Sequence, residues 1–124
     1  VGTAVVIEDD DDIRRLLEVV LAQEGYEVSV AANGEKGIAV LTEQPPDLAL
    51  VDVGLPDMEG YEVVKRTRHL VSGHMVMLSA RSEAADAQLG LDAGADEYLT
   101  KPFRPRQLRE TLREIITRPV TDGR

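Results

Sequence analysis

Residues 47–53 read "DLALVDV", in which Leu48 to Val51 are apolar without a break and run into the carboxylate of Asp52. A strand with one face in water alternates apolar and polar residues, so a run that is apolar on both faces has to be covered on both. "HMVMLSA" (74–80) repeats the pattern, and "TAVVI" (3–7), "EVSVA" (27–31) and "EYLT" (97–100) have the composition of three further strands. Helical spacing fills the gaps. Ile13, Leu16, Leu17, Val20 and Leu21 fall at i, i+3, i+4, i+7 and i+8, and Leu108, Leu112, Ile115 and Ile116 form a second apolar stripe. Weaker helical patterns cover about 34–43, 59–71 and 83–92, and Gly25, Pro45-Pro46, Gly73 and Gly94 stand at the expected joints.

Five strand–helix units in alternation imply an α/β fold with a parallel sheet and right-handed crossovers. Five units are too few to close an eight-stranded barrel. The expected architecture is a flavodoxin-like, doubly wound sheet of five parallel strands in the order 2-1-3-4-5, with five helices. Ligands of such sheets bind beyond the carboxyl ends of the strands, near the switch point.

At 124 residues the chain suits one domain. A net charge of -9 argues against direct nucleic-acid binding, which needs a basic face. No segment approaches the roughly 20 apolar residues that span a bilayer, and no signal-peptide pattern opens the chain, so no membrane partner is expected and a cytoplasmic location fits. The absence of Cys excludes disulfides, thiolate zinc sites and cysteine nucleophiles. A start at Val1 and a polar "RPVTDGR" end also admit the reading of a fragment.

In the order 2-1-3-4-5, strands 1, 3, 4 and 5 are neighbours, and their carboxyl ends carry Glu8-Asp9, Asp52, Ser79 and Lys101. Three carboxylates, a hydroxyl and an ammonium therefore converge. Carboxylates so close raise one another's pKa unless a cation offsets them. Oxygen ligands without His or Cys favour a hard cation such as Mg²⁺. The acidic run Glu8 to Asp12 then divides: Glu8 and Asp9 belong to the cation, while Asp11 and Asp12 suit the start of the first helix, whose dipole favours negative charge; Asp10 stands between the two.

"VIEDD" after the first strand, "LVDVGLPDMEG" around the third, "LSA" ending the fourth and "DAGADEYLTKPF" across the fifth together resemble the receiver (CheY-like) domain of two-component response regulators, from about Thr3 to Arg118. The expected domain is 1–118, with 119–124 a polar tail or the start of a linker. The resemblance implies that Asp52 is the phosphoacceptor, supplied by a sensor histidine kinase. It implies that Asp9 and Asp52 ligate Mg²⁺ directly, that the Gly54 carbonyl is a third protein ligand, and that Glu8 acts through water. It further implies that Ser79 and Lys101 contact the phosphoryl group, that Ser79 and Tyr98 form the switch, and that Lys101-Pro102 is cis. Such a domain is a signalling phosphoacceptor rather than an enzyme. It controls an output, expected to be transcription, through the face of helix 4, strand 5 and helix 5 and a C-terminal DNA-binding domain outside this chain.

Several of these residues also have a plain structural reading. Asp52 at the end of "LALV" would be costly to bury without a role. Ser79 could simply cap a helix, and Tyr98 could be an ordinary half-buried aromatic. His69 and His74 lack ligand-spaced partners, Asp57 belongs to the turn after Pro56, and "NGEKG" (33–37) is a helix start rather than a phosphate loop. A stand-alone receiver or phosphorelay protein acting by protein contact is the main alternative output. An aspartate-nucleophile phosphohydrolase needs a second Asp two residues on, where this chain has Gly54. Relatives of the winged-helix type dimerise through charge pairs, but the corresponding positions here are Ala87 with Gln107 and Glu97 with Thr111. Asp96 and Arg113 remain as one candidate contact, so a monomer or a weak phosphorylation-dependent dimer is expected.

Overall fold

The computed structural model describes residues 2–120. The strands are β1 (Thr3–Ile7), β2 (Glu27–Ala31), β3 (Leu48–Asp52), β4 (His74–Ser79) and β5 (Glu97–Thr100). The helices are α1 (Asp11–Gln23), α2 (Gly34–Glu43), α3 (Gly60–Thr67), α4 (Ala84–Ala93) and α5 (Pro105–Ile115), with a 3₁₀ turn at Arg68–Leu70. All strand pairs are parallel and the order is β2-β1-β3-β4-β5, as the alternation predicts. Residues 119 and 120 follow the last helix; positions 121–124 of the expected tail lie outside the described residues.

The two apolar faces of β3 explain its composition. Leu48 and Leu50 join Ala4, Val6, Val76 and Leu78 in a core closed by Leu17, Val20 and Leu21 of α1 and Leu108, Leu112 and Ile115 of α5. Ala49 and Val51 join Val5, Ile7, Met75 and Met77 in a second core, closed by Leu41 of α2, Val63 and Val64 of α3 and Ala93 of α4. Each fully buried Val or Leu contributes about 1.5–3 kcal/mol. Parallel pairing aligns Leu50 with Val6 on one side and Val76 on the other, so the central strands end at the same level.

One helix differs from its sequence pattern. The periodicity predicts helix over 59–71, but α3 stops at Thr67 and tightens into the 3₁₀ turn. Thr67 Oγ1 donates back to the Val63 carbonyl at 2.7 Å, and Arg68 turns its guanidinium into the protein instead of continuing the exposed face. Gly94, with φ +120°, ends α4 in a conformation that a side chain would strain.

Candidate functional site

The parallel sheet delivers four residues to one edge. Asp52 is the last residue of β3 and Ser79 the last of β4; Glu8 and Lys101 directly follow β1 and β5. Glu8 stays in line because its N–H donates to the Ala31 carbonyl (3.0 Å), and the Lys101 N–H donates to the Ser79 carbonyl (2.7 Å). The Lys101-Pro102 bond is cis, as the family resemblance implies.

The side chains meet. Lys101 Nζ lies 2.6 Å from Glu8 Oε1 and 2.9 Å from Asp52 Oδ1. Glu8 is 1% exposed and Asp52 5%, whereas Asp9 is open to solvent. One oxygen from each of Glu8, Asp9 and Asp52 can be chosen so that all lie within 4.8 Å of one another. Burial raises the Glu8 pKa, and the nearby Asp52 charge adds to that, although the Lys101 hydrogen bond opposes it. Burial works against the Lys101 ammonium, but its hydrogen bonds to Glu8 and Asp52 outweigh that and raise its pKa.

The donor chemistry suits a hard cation: three carboxylates, with neither thiolate nor imidazole among them. Lys101 engages Asp52 Oδ1, while Oδ2 faces the Gly54 side, where a Cβ would stand 3.8 Å from it. Gly54 is held by a short antiparallel bridge to Glu59. Gly60, opening α3, packs directly on the Asp52 backbone, because a Cβ there would come within 2.1 Å of the Asp52 carbonyl oxygen.

Ser79 is buried, and its Oγ accepts the Arg81 N–H at 2.9 Å. Tyr98 is half-buried against the core, and its hydroxyl donates to the Arg81 carbonyl at 2.8 Å. Arg81, singled out by nothing in the sequence, therefore touches both residues assigned to the switch; only its place two residues after Ser79 could have drawn attention to it.

The rest of the acidic run resolves as helix start. Asp10 is the N-cap of α1, accepting from Asp12 and Ile13 N–H at 3.0 Å each, and Asp11 pairs with Arg14 at 2.6 Å. Asn33 caps α2 by accepting the Lys36 N–H. Asp57 is more than a turn residue: its carboxylate accepts the Gly34 and Glu35 N–H groups at 2.8 and 2.9 Å, tying the β3–α3 loop to the start of α2. His74 is buried, its Nε2 paired with the Arg118 carbonyl, and His69 is exposed.

Asp96 is placed differently from its expected role at an interface. Its side chain is buried against Arg68, and Arg113 pairs with Glu24 of α1 at 2.6 Å. The sequence shows an acid near the surface end of a strand; that an Arg 28 positions earlier folds back to it is a tertiary fact.

Comparison with known proteins agrees with this geometry. Residues 4–113 match the response regulator receiver domain. The chain is 42% identical over 114 residues to the transcriptional regulatory protein AfsQ1 of Streptomyces coelicolor, a match that covers 92% of this chain and 51% of AfsQ1. It is 39% identical over 114 residues to the transcriptional regulatory protein KdpE of Mycobacterium tuberculosis, covering 92% of this chain and 50% of KdpE. It therefore spans about half the length of these curated relatives. Among solved structures, a CheY-like response regulator receiver domain protein from Methanospirillum hungatei superposes with a TM-score of 0.88 at 33% identity, covering 94% of both chains. With its strand order, its acidic edge and these matches in agreement, the chain belongs to the response regulator receiver domain family.

Proposed function

We propose that this chain is a Mg²⁺-dependent phosphoacceptor in which Asp52 takes a phosphoryl group from a sensor histidine kinase. The observation that carries the reading is the buried Asp52 carboxylate 2.9 Å from Lys101 Nζ, with Glu8 and Asp9 alongside. An Asp52 oxygen forms the new bond to phosphorus as the bond to the donor breaks, and the electron pair leaves with the donor, a histidine nitrogen or the acetate of acetyl phosphate. Lys101, already at the carboxylate, pairs with the phosphoryl oxygens as charge spreads over them. Asp9, Asp52 and the Gly54 carbonyl would hold Mg²⁺, with Glu8 acting through water. When bound, the ion supplies fixed positive charge for the same oxygens. Hydrolysis of the acyl phosphate by water releases inorganic phosphate and returns Asp52 to the carboxylate, so the chain is both the substrate and the catalyst of this cycle.

The output follows from position. Ser79 lies one strand from Asp52, and Arg81 links it to Tyr98, so phosphorylation that draws in the Ser79 hydroxyl acts on α4, β5 and α5. We read transcription as the regulated process, through a DNA-binding region outside this chain and in the cytoplasm, because the similar relatives are transcriptional regulators of about twice this length. The test is intact-mass measurement after treatment with acetyl phosphate and Mg²⁺. One added phosphoryl group is expected, absent in Asp52→Asn and with excess EDTA; undiminished labelling of Asp52→Asn would overturn the assignment.

A further inference from the structure

α4 is attached to the rest of the domain by very little. Its buried residues are Gly90 and Ala93, while Leu89 and Leu91 are exposed. Two tyrosines make up for this. Tyr61 of α3 is buried, and its hydroxyl donates to the Asp86 carbonyl in the first turn of α4 at 3.1 Å. Tyr98 of β5 packs against the same core cluster as Tyr61, and its hydroxyl donates to the Arg81 carbonyl in the loop before α4.

Gly90 decides where the Tyr98 ring can lie. A Cβ at position 90 would come within 2.9 Å of Tyr98 Cδ1, closer than side-chain carbons tolerate, and within 3.2 Å of Met77 Sδ, a tight contact that the methionine would have to ease. The ring thus occupies the space that any other residue would fill. We propose that Gly90 and Tyr61 are positioning residues for Tyr98: Gly90 provides the seat of the ring, and Tyr61 holds α4 at the distance from α3 that keeps the seat open.

Two further observations agree. Burial and the neighbouring Tyr98 hydroxyl push the Tyr61 pKa up to about 12, so Tyr61 keeps its proton and donates to Asp86 at any ordinary pH. A glycine inside a helix also lowers helix stability relative to alanine, so its presence in α4 calls for a packing reason, which the Tyr98 ring supplies. The regulatory meaning rests on Tyr98 being the switch residue; the seat itself does not.

Fluorine NMR tests this on the chain labelled with 3-fluorotyrosine, which has three tyrosines, Tyr26, Tyr61 and Tyr98. Tyr→Phe substitutions assign the three resonances. In Gly90→Ala the Tyr98 resonance should move, and its H₂O/D₂O isotope shift should rise toward that of free fluorotyrosine, because the ring is expelled to solvent. In Tyr61→Phe, which keeps the ring and loses the hydroxyl, amide exchange over residues 84–93 should accelerate and the Tyr98 resonance should shift. A Tyr98 resonance unmoved in both folded variants overturns the proposal. Acetyl phosphate labelling of Asp52 in the same samples keeps the two readings apart. Failure of labelling in the unsubstituted chain removes the phosphoacceptor reading and leaves the seat standing, whereas normal labelling with an unmoved ring removes the seat alone.

Discussion

Arg68 Nη1 lies 3.0 Å from Asp96 Oδ2, with the side chains only 3% and 6% exposed. The pair is embedded in backbone. Arg68 also donates to the carbonyls of Gly94, Val71 and Gly73, and Asp96 accepts the Met75 N–H at 2.8 Å. A single ion pair thus fastens the end of α3 to the loop before β5 and the start of β4, at the opposite end of the sheet from Asp52.

Breaking it by Arg68→Met should cost about 3–5 kcal/mol, because a buried carboxylate and three carbonyls lose their donor. Adding Asp96→Leu should recover little, since the Gly94, Val71 and Gly73 carbonyls stay unpaired and the Met75 N–H now loses its acceptor as well. Urea denaturation of the two variants checks this. A double variant as stable as the parent would show that the backbone bonds are dispensable.

The same pair bears on self-association. Asp96 is committed to Arg68, Arg113 to Glu24, and Glu97 to Arg118 at 2.8 Å, while Ala87, Gln107 and Thr111 carry no charge. The isolated domain should therefore remain largely monomeric in sedimentation at micromolar concentration, even with Mg²⁺ and beryllofluoride. Arg113→Ala should leave its sedimentation unchanged. A tight activated dimer abolished by that substitution would contradict the assignment of Arg113 to α1.

Asp9→Asn should separate cation affinity from stability. Removing this exposed carboxylate deletes a proposed ligand and also relieves repulsion with Glu8 and Asp52. Mg²⁺ affinity should fall by at least the roughly tenfold that even an outer-shell change costs. The metal-free domain should melt at the same temperature or higher. Titration calorimetry and thermal melts in EDTA read the two halves, and unchanged Mg²⁺ affinity removes Asp9 from the ligand set.

Asp57 gives a pH signature. The Gly34 and Glu35 N–H groups stabilise its charged form and lower its pKa from the ordinary 3.8. A depressed carboxylate pKa contributes stability that is present above the unfolded pKa and lost as pH falls through the folded one. Asp57→Asn should therefore be less stable than the parent at pH 7, and the gap should close as the pH drops below the normal carboxylate range. Denaturant melts along that series test it; a gap independent of pH would mean that the carboxylate charge has no part in capping α2.

Local pattern was enough for much of this protein. The continuous apolar runs of β3 and β4 required cover on both faces, and the i, i+3, i+4 stripe of α1 named its buried side, so the sheet order and the edge carrying Glu8, Asp52, Ser79 and Lys101 were legible in one dimension. The reason is that a residue at the end of a parallel strand has its position set by the topology, whatever its neighbours are. The motifs "VIEDD", "LVDVGLPDMEG" and "DAGADEYLTKPF" carried the family for the same reason, being the strand ends themselves. Contacts chosen by side chains from distant segments were not legible. Whether Asp96 faces a second copy or Arg68, whether Asp57 belongs to its own turn or caps α2, and what Gly90 makes room for depend on how separate helices come to rest on the sheet. No sequence period encodes those distances; only the closed packing of the tertiary structure fixes them.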